Sequence, residues 1–400
     1  MRAFSNGLVP PLDHTKAHNH YPLPEKQEAL ELIHQTKQLA LIDNSIPRTI
    51  IRKTQLCASD EAIAMMSRPD AIKQMIRRER KKKFGIKTLV AKTVAAIEIP
   101  KELRSTHKGE NFYYDDSSSK GDRMIVFTTK KNLELLSTHR NWFMDGTFDI
   151  TPTFFTQLYT IHIIIEKRSF PMLNSLLPNK KMETYKRLFK IIKSGVSQYP
   201  SSINIDYEKA VMSAATSVFG RECKVNGCYF HLSQSLFRRV QTKGAYEDYM
   251  KQSVKGEEFR KYFKLLQALA YLPQQYIIDG FNYTERKLAR YPIATWNVHD
   301  RVKYQAPITT NNLENWNGQI QSDERKHLTV FRIVKLFQDE QSKMENELVM
   351  TKKGEKLLHQ TRAQIKKDKL MFELVNNFDK SQLFTFLESI AFNLGEVKKQ

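Results

Sequence analysis

Apolar positions fall into two regimes along the chain. In residues 25–40, Leu30, Ile33, His34, Lys37 and Leu41 follow the spacing of an amphipathic helix. Pro47 suits the start of a second helix, and Ser59 or Asp60 the N-cap of a short one over 61–66. Pro69 then opens a helix to about residue 84, with Ile72, Met75 and Ile76 on one face. From residue 123 onward, short β-favouring runs replace this pattern and alternate with helical stretches.

The spacing predicts strands over 123–128, 142–150, 157–166 and 169–177, the last three forming an antiparallel meander. A helix over 183–198, carrying Tyr185, Leu188, Phe189, Ile192 and Val196, leads to a strand over 202–207. A strand reached through a helix usually runs parallel to one it joins, so acids on the two strands can share one end of the sheet. Another helix spans 209–219, and a strand, or strand and turn, spans 223–231. Residues 105–122 are polar and expected to be a loop. Beyond 232 the chain is mostly helical, including a helix from Thr309–Asn312 through Ile320, another from Val330 to about Met350, and a Lys-rich tail expected to be peripheral.

Lys and Arg outnumber Asp and Glu by 64 to 43, a net charge of +21, which favours a polyanionic partner such as nucleic acid over a merely solvated basic surface. The basic residues concentrate on the helix ending near residue 84, where Lys73, Arg77, Arg78 and Arg80 precede further lysines. Three readings stay open there: the last helix of a helix-turn-helix entering a major groove, a nuclear-localisation patch, or solvated charge at a helix C-terminus. Cys57, Cys223 and Cys228 are too few for a disulfide framework, and no apolar run has the length of a membrane span.

The stretch NWFMDGTFDI at 141–150 carries the candidate chemistry. Asp145 lies among strand-forming apolar residues and needs compensation there, from a counter-ion, backbone N–H donors, exposure at the strand end, or a divalent metal. Asp206 ends the strand over 202–207, and Glu314 sits in the first turn of its helix, where the dipole favours a carboxylate in any protein. Glu208 would share a sheet face with Asp206 if the strand continued that far. Cys228 and His231 lack two adjacent partners for a zinc site, so a packed thiol and a hydrogen-bonded imidazole are preferred. Phe237, Tyr246 and Tyr249 could stack on DNA or form core, and Arg238 and Arg239 are the better candidates for phosphate contact.

Taken together, DGTF at 145–148, IDYEKA at 205–210, GCYFH at 227–231 with Gln234, and NNLE at 311–314 resemble the transposase domain of Mutator-like elements (MULE). The resemblance spans roughly 140–335. It implies an RNase H-like α/β fold with a mixed sheet and flanking helices, Asp145, Asp206 and Glu314 as a DDE triad, and Cys228 with His231 as the family's C-x-x-H element. The organisation expected is a helical region over 26–100, the catalytic domain over 120–335 with a helical insertion at about 232–308, and the Lys-rich tail over 336–400.

His18-Asn19-His20-Tyr21-Pro22 resembles the closing end of a FLYWCH-type zinc finger. The upstream cysteines of that finger are absent, so His18 and His20 in residues 1–25 would be remnants.

The implied activity is metal-dependent strand cleavage and transfer on double-stranded DNA bearing terminal inverted repeats, in the nucleus, by a homo-oligomer. Mg²⁺ or Mn²⁺ in a two-metal site suits three carboxylates, because these ions prefer oxygen ligands. The alternative is a domesticated, catalytically inactive DNA-binding or regulatory protein on the same fold.

Overall fold

The computed structural model describes residues 3–4, 13–14, 23–43, 47–56, 58–84, 93–117, 122–278, 290–323, 328–354 and 361–395. His18, His20 and Cys57 lie outside them. The chain divides into two compact units, residues 1–89 and 90–400.

The first unit contains a two-residue strand pair, β1 (Ala3–Phe4) and β2 (Asp13–His14), and four helices: α1 (Pro24–Ile42), α2 (Pro47–Gln55), α3 (Asp60–Met65) and α4 (Pro69–Phe84). Prolines open α1, α2 and α4, where a missing N–H costs nothing. Ser59 caps α3 by accepting the Ala62 N–H, and is itself fixed by Glu28, which accepts from both its N–H and its hydroxyl. The inner stripe of α1 is Ala29, Leu32, Thr36 and Ala40, while Leu30 is exposed. The expected face was therefore rotated by about one position: small residues, not the leucine, allow α1 to approach Ile50, Ile51, Ile72 and Ile76.

The second unit is mixed α/β. Its seven-stranded sheet has the order β3-β4-β7-β6-β5-β8-β9. In chain order these are β3 (Tyr113–Asp116), β4 (Ile125–Phe127), β5 (Asn141–Thr147), β6 (Gln157–Ile165), β7 (Arg168–Leu177), β8 (Ser202–Ile205) and β9 (Lys224–Gly227). β5, β6 and β7 form the antiparallel meander, and β5, β8 and β9 pair in parallel. β3 was read from sequence as loop. It is an edge strand whose polar residues are held by Arg123, which donates to Asp116 at 2.9 and 2.5 Å and to the Val94 and Ile97 carbonyls at 2.8 Å.

Strand alternation separates two cores. Trp142, Met144, Ile203 and Ile205 face α5 (Lys130–Thr138), α6 (Met182–Gly195) and α7 (Lys209–Phe219), while Ile125, Phe127, Leu158 and Leu176 face the side covered by helices from later in the chain. After β9 come α8 (Tyr229–Thr242), α9 (Tyr246–Met250), α10 (Val254–Ala268), α11 (Gln274–Ile278), α12 (Ile293–Trp296) and α13 (His299–Lys303), followed by α14 (Asn311–Asp323), α15 (Val330–Lys352), α16 (Arg362–Asn376) and α17 (Leu383–Asn393). α15 covers the second core with Ile333, Val334 and Phe337.

The tail is not peripheral. Met371 and Val375 of α16 and Phe386, Leu387 and Ile390 of α17 pack with Tyr229, Tyr271, Leu272 and Val298 into a third core. Phe237, Tyr249 and Phe263 form a further cluster of edge-on rings, with Phe237 and Tyr249 centroids 5.1 Å apart. These aromatics are core, so they are not a stacking surface for DNA. Among the described residues, no helix is long and apolar enough to cross a membrane.

Candidate functional site

Two strand ends and two helix starts build the site. β5 and β8 pair Asn141 with Ser202, Trp142 with Ile203 and Phe143 with Asn204 in parallel. Continuing that register by two residues sets Asp145 opposite Asp206. β8 and β9 continue it: Ile205 pairs with Gly227, so Asp206 and Cys228 follow side by side. Gly146 lets β5 pass close to β6: a Cβ there would come within 2.6 Å of Gln157 Oε1, so the Gln157 side chain would have to move.

Asp145 is held from two directions. Its Oδ1 accepts the Gly146 N–H at 2.7 Å, and its Oδ2 accepts from Asn317 Nδ2 at 2.6 Å. Burial pushes its carboxyl pKa up, and the charge of Asp206 adds to the rise. Asn317 is on α14, three residues beyond Glu314, and thus on the same side of that helix.

α14 is fixed by the buried stripe that adjoins Glu314 and includes Asn317. Leu313, Trp316 and Ile320 are buried, Trp316 Nε1 donates to Glu340 at 2.9 Å, and the Trp316 ring meets His162 edge-on at 5.0 Å. Glu314 is left partly buried on the site side. Burial raises its pKa, Asp145 and Asp206 raise it further, and His231 opposes them.

His231 lies between two acids. Its Nδ1 is 2.8 Å from Asp206 Oδ1, and its Nε2 is 3.5 Å from Glu314 Oε1. Burial alone would lower its pKa, but the contacts with Asp206 and Cys228 outweigh burial and raise it to about 10. The 2.8 Å contact is an ion pair by distance, yet both atoms are buried without hydrogen-bond alignment, as is Glu314 Oε1. The sequence suggested a strand or strand and turn reaching His231. Instead β9 ends at Gly227, Cys228 is the N-cap residue of α8, and His231 sits in its first turn.

Cys228 is 1% exposed, and its sulfur accepts the Thr310 N–H at 3.3 Å. Burial pushes its thiol pKa up, but the hydrogen bond and charge of His231 prevail and lower it.

The remaining sequence candidates are placed elsewhere. β8 ends at Ile205, so Glu208 does not extend the strand beside Asp206; it is the N-cap residue of α7, and its Oε1 accepts from Tyr185 at 2.9 Å. Arg238 and Arg239 are exposed on α8. In the first unit Arg77 and Arg78 are exposed, and Lys73 pairs with Asp70 at 2.9 Å. Arg80 is engaged: it donates to the Ala40 carbonyl at 3.0 Å and the Asp43 carbonyl at 2.7 Å, at the end of α1. It is a helix-end clamp and a poor candidate for phosphate contact.

Sequence reasoning missed Asn317 and the bridging position of His231. The spacing of Asn317 from Glu314 was available, but nothing in one sequence marks an amide as facing a particular carboxylate.

A cleft of about 1220 Å³ lies away from these acids, toward the starts of β5, β8 and β9, and is lined by Asn141, Asn204, Arg221, Lys224, Asn226 and Arg301 among others. It holds none of Asp145, Asp206, Cys228, His231 or Glu314.

Residues 141–235 match the family model of the MULE transposase domain, a span that includes Asp145, Asp206, Cys228 and His231 and ends before Glu314. No curated protein matches the chain. Over residues 141–235, the chain is similar to a MULE transposase domain, which points to a transposase-related function and to DNA as its partner.

Proposed function

We propose that this chain is a DDE-type DNA transposase with an RNase H-like catalytic domain, in which Asp145, Asp206 and Glu314 hold Mg²⁺ or Mn²⁺ for strand cleavage and transfer. The observation that carries the reading is the parallel register of β5 and β8, which brings two acids from different strands to one sheet end beside the Glu314 turn of α14.

The residues fit hard cations. Asp206 Oδ1 and Glu314 Oε1 are buried without an aligned hydrogen bond, and the pKa values of Asp145 and Glu314 are raised first by burial and then by the like charge of neighbouring acids. Bound divalent ions would supply Lewis acidity for in-line displacement at a phosphodiester. Asn317 orients Asp145, and His231 keeps Asp206 and Glu314 from repelling each other. The exposed Arg77, Arg78, Arg238 and Arg239 are suited to phosphate contact. Double-stranded DNA with terminal inverted repeats, a homo-oligomer joining two ends, and a nuclear location belong to the same proposal.

One observation favours the second reading, a domesticated DNA-binding protein without catalysis: His231 reaches two of the three acids, Asp206 at 2.8 Å and Glu314 at 3.5 Å, without a metal. Incubation with a terminal-repeat duplex and Mn²⁺ separates the two. Cleavage that disappears in Asp145→Asn supports the transposase; binding without cleavage supports the second reading.

A further inference from the structure

We infer that Asp206, Cys228 and His231 form a binding site for a single zinc-class cation, with Asp206 shared between this site and the carboxylate cluster. The inference does not depend on the transposase reading.

Backbone geometry brings the three groups together. Asp206 and Cys228 are the residues that follow the paired Ile205 and Gly227, and the Cys228 N–H donates to the Ile205 carbonyl at 3.0 Å. His231 comes three residues later, in the first turn of a 14-residue helix. One ligand atom from each residue lies within 4.8 Å of the other two. Ligand atoms about 2.0–2.3 Å from a common ion are separated by up to roughly 4 Å, so small side-chain adjustments close the sphere.

Two further features point to a cation. Asp206 Oδ1 and His231 Nδ1 face each other at 2.8 Å without an aligned hydrogen bond between them, and a cation between them would engage both atoms. The Cys228 sulfur lies at the N-terminus of α8 and accepts the Thr310 N–H, an arrangement that favours the thiolate, the form that binds metal.

The ligand set selects the ion. Thiolate and imidazole suit zinc or cobalt and are poor ligands for Mg²⁺, which takes oxygen. Three protein ligands leave a fourth tetrahedral position for water or a substrate oxygen.

Titration of the full chain with Co²⁺, followed by absorption, tests the site. The expected result is a thiolate-to-cobalt charge-transfer band in the near-ultraviolet that saturates at a single ion per chain, is bleached by Zn²⁺ and is untouched by Mg²⁺. The band should vanish in Cys228→Ser and persist in Cys223→Ser and Asp145→Asn. His231→Gln, a partly exposed position, should lose the intense visible bands of tetrahedral cobalt while circular dichroism shows the fold intact, which covers the case of a misfolded Cys228→Ser. Absence of a charge-transfer band in the wild type, or its survival in Cys228→Ser, overturns the site. Co²⁺ bound without that band would leave the carboxylate site standing and remove this one.

Discussion

Asn317 Nδ2 donates to Asp145 Oδ2 at 2.6 Å, joining α14 to the end of β5 across 172 residues of sequence. Because Glu314 lies three residues before Asn317 on the same helix, this bond sets the distance between two acids that no local motif connects. Replacing Asn317 by Ala removes a hydrogen bond to a charged group, worth about 1.5–3 kcal/mol, and leaves Asp145 freer to turn. Mn²⁺ affinity measured by calorimetry should fall about 10- to 100-fold, as for other residues that orient ligands. Unchanged affinity would mean that Asp145 is oriented by its strand alone.

His162 gives the sign of one pH effect. It is fully buried, hydrogen-bonded to Ser169 at 2.8 Å and Thr160 at 3.1 Å, and burial lowers its pKa from 6.5 to about 3. Above pH 6.5 it is neutral whether the chain is folded or unfolded. Below that, the unfolded chain takes up a proton that the folded chain refuses, so stability falls as pH drops toward 3. Between pH 7 and 5 the loss is about 2 kcal/mol. Urea unfolding of wild type and His162→Gln at both pH values should show the variant losing less on acidification by about that amount. Equal losses would contradict the assignment.

The basic helix of the first unit separates structural from exposed charge. Arg80→Ala should lower the melting temperature, because the two carbonyls at the end of α1 lose their donor. Arg77→Ala with Arg78→Ala should leave the melting temperature nearly unchanged and weaken duplex binding, with a shallower dependence on salt. If Arg80→Ala weakened binding as much as the double change without destabilising the unit, the division would be wrong.

Ile390 of α17 is fully buried in the core shared by the helices after β9 and the C-terminal helices. Ile390→Ala should cost about 2–5 kcal/mol in chemical unfolding, and hydrogen exchange should quicken in α10 and α16 as well as α17. Faster exchange confined to α17 would restore the view of the tail as peripheral.

The differences between sequence and structure have physical causes. Pro69 and the face of Ile72, Met75 and Ile76 marked α4, α7 was expected over its observed span, and the rule that a helix joins parallel strands anticipated the β5–β8 pairing. β3 escaped notice because an edge strand need not be apolar, and its Tyr-Tyr-Asp-Asp sequence is stabilised by Arg123. The start of α8 at Tyr229 was obscured by the β-favouring run Cys-Tyr-Phe, of which Tyr229 packs into the core with Tyr271 and Val298. The lysines in the middle of the tail drew attention from Phe386, Leu387 and Ile390 beyond them, which find their partners more than a hundred residues earlier. The meeting of His231 with Asp206 and Glu314 depends on three elements at once, and no window of sequence contains it.

If Asp145, Asp206 and Glu314 serve one hard-cation site, Mn²⁺ calorimetry on the wild type and on Asp145→Asn, Asp206→Asn and Glu314→Gln should show each substitution weakening binding on the order of 10-fold or more. Wild-type affinity should drop as pH falls, since protons compete for the Asp145 and Glu314 carboxylates, whose pKa values are raised. A wild type that binds no Mn²⁺, or substitutions that leave its affinity unchanged, would contradict the one-site reading.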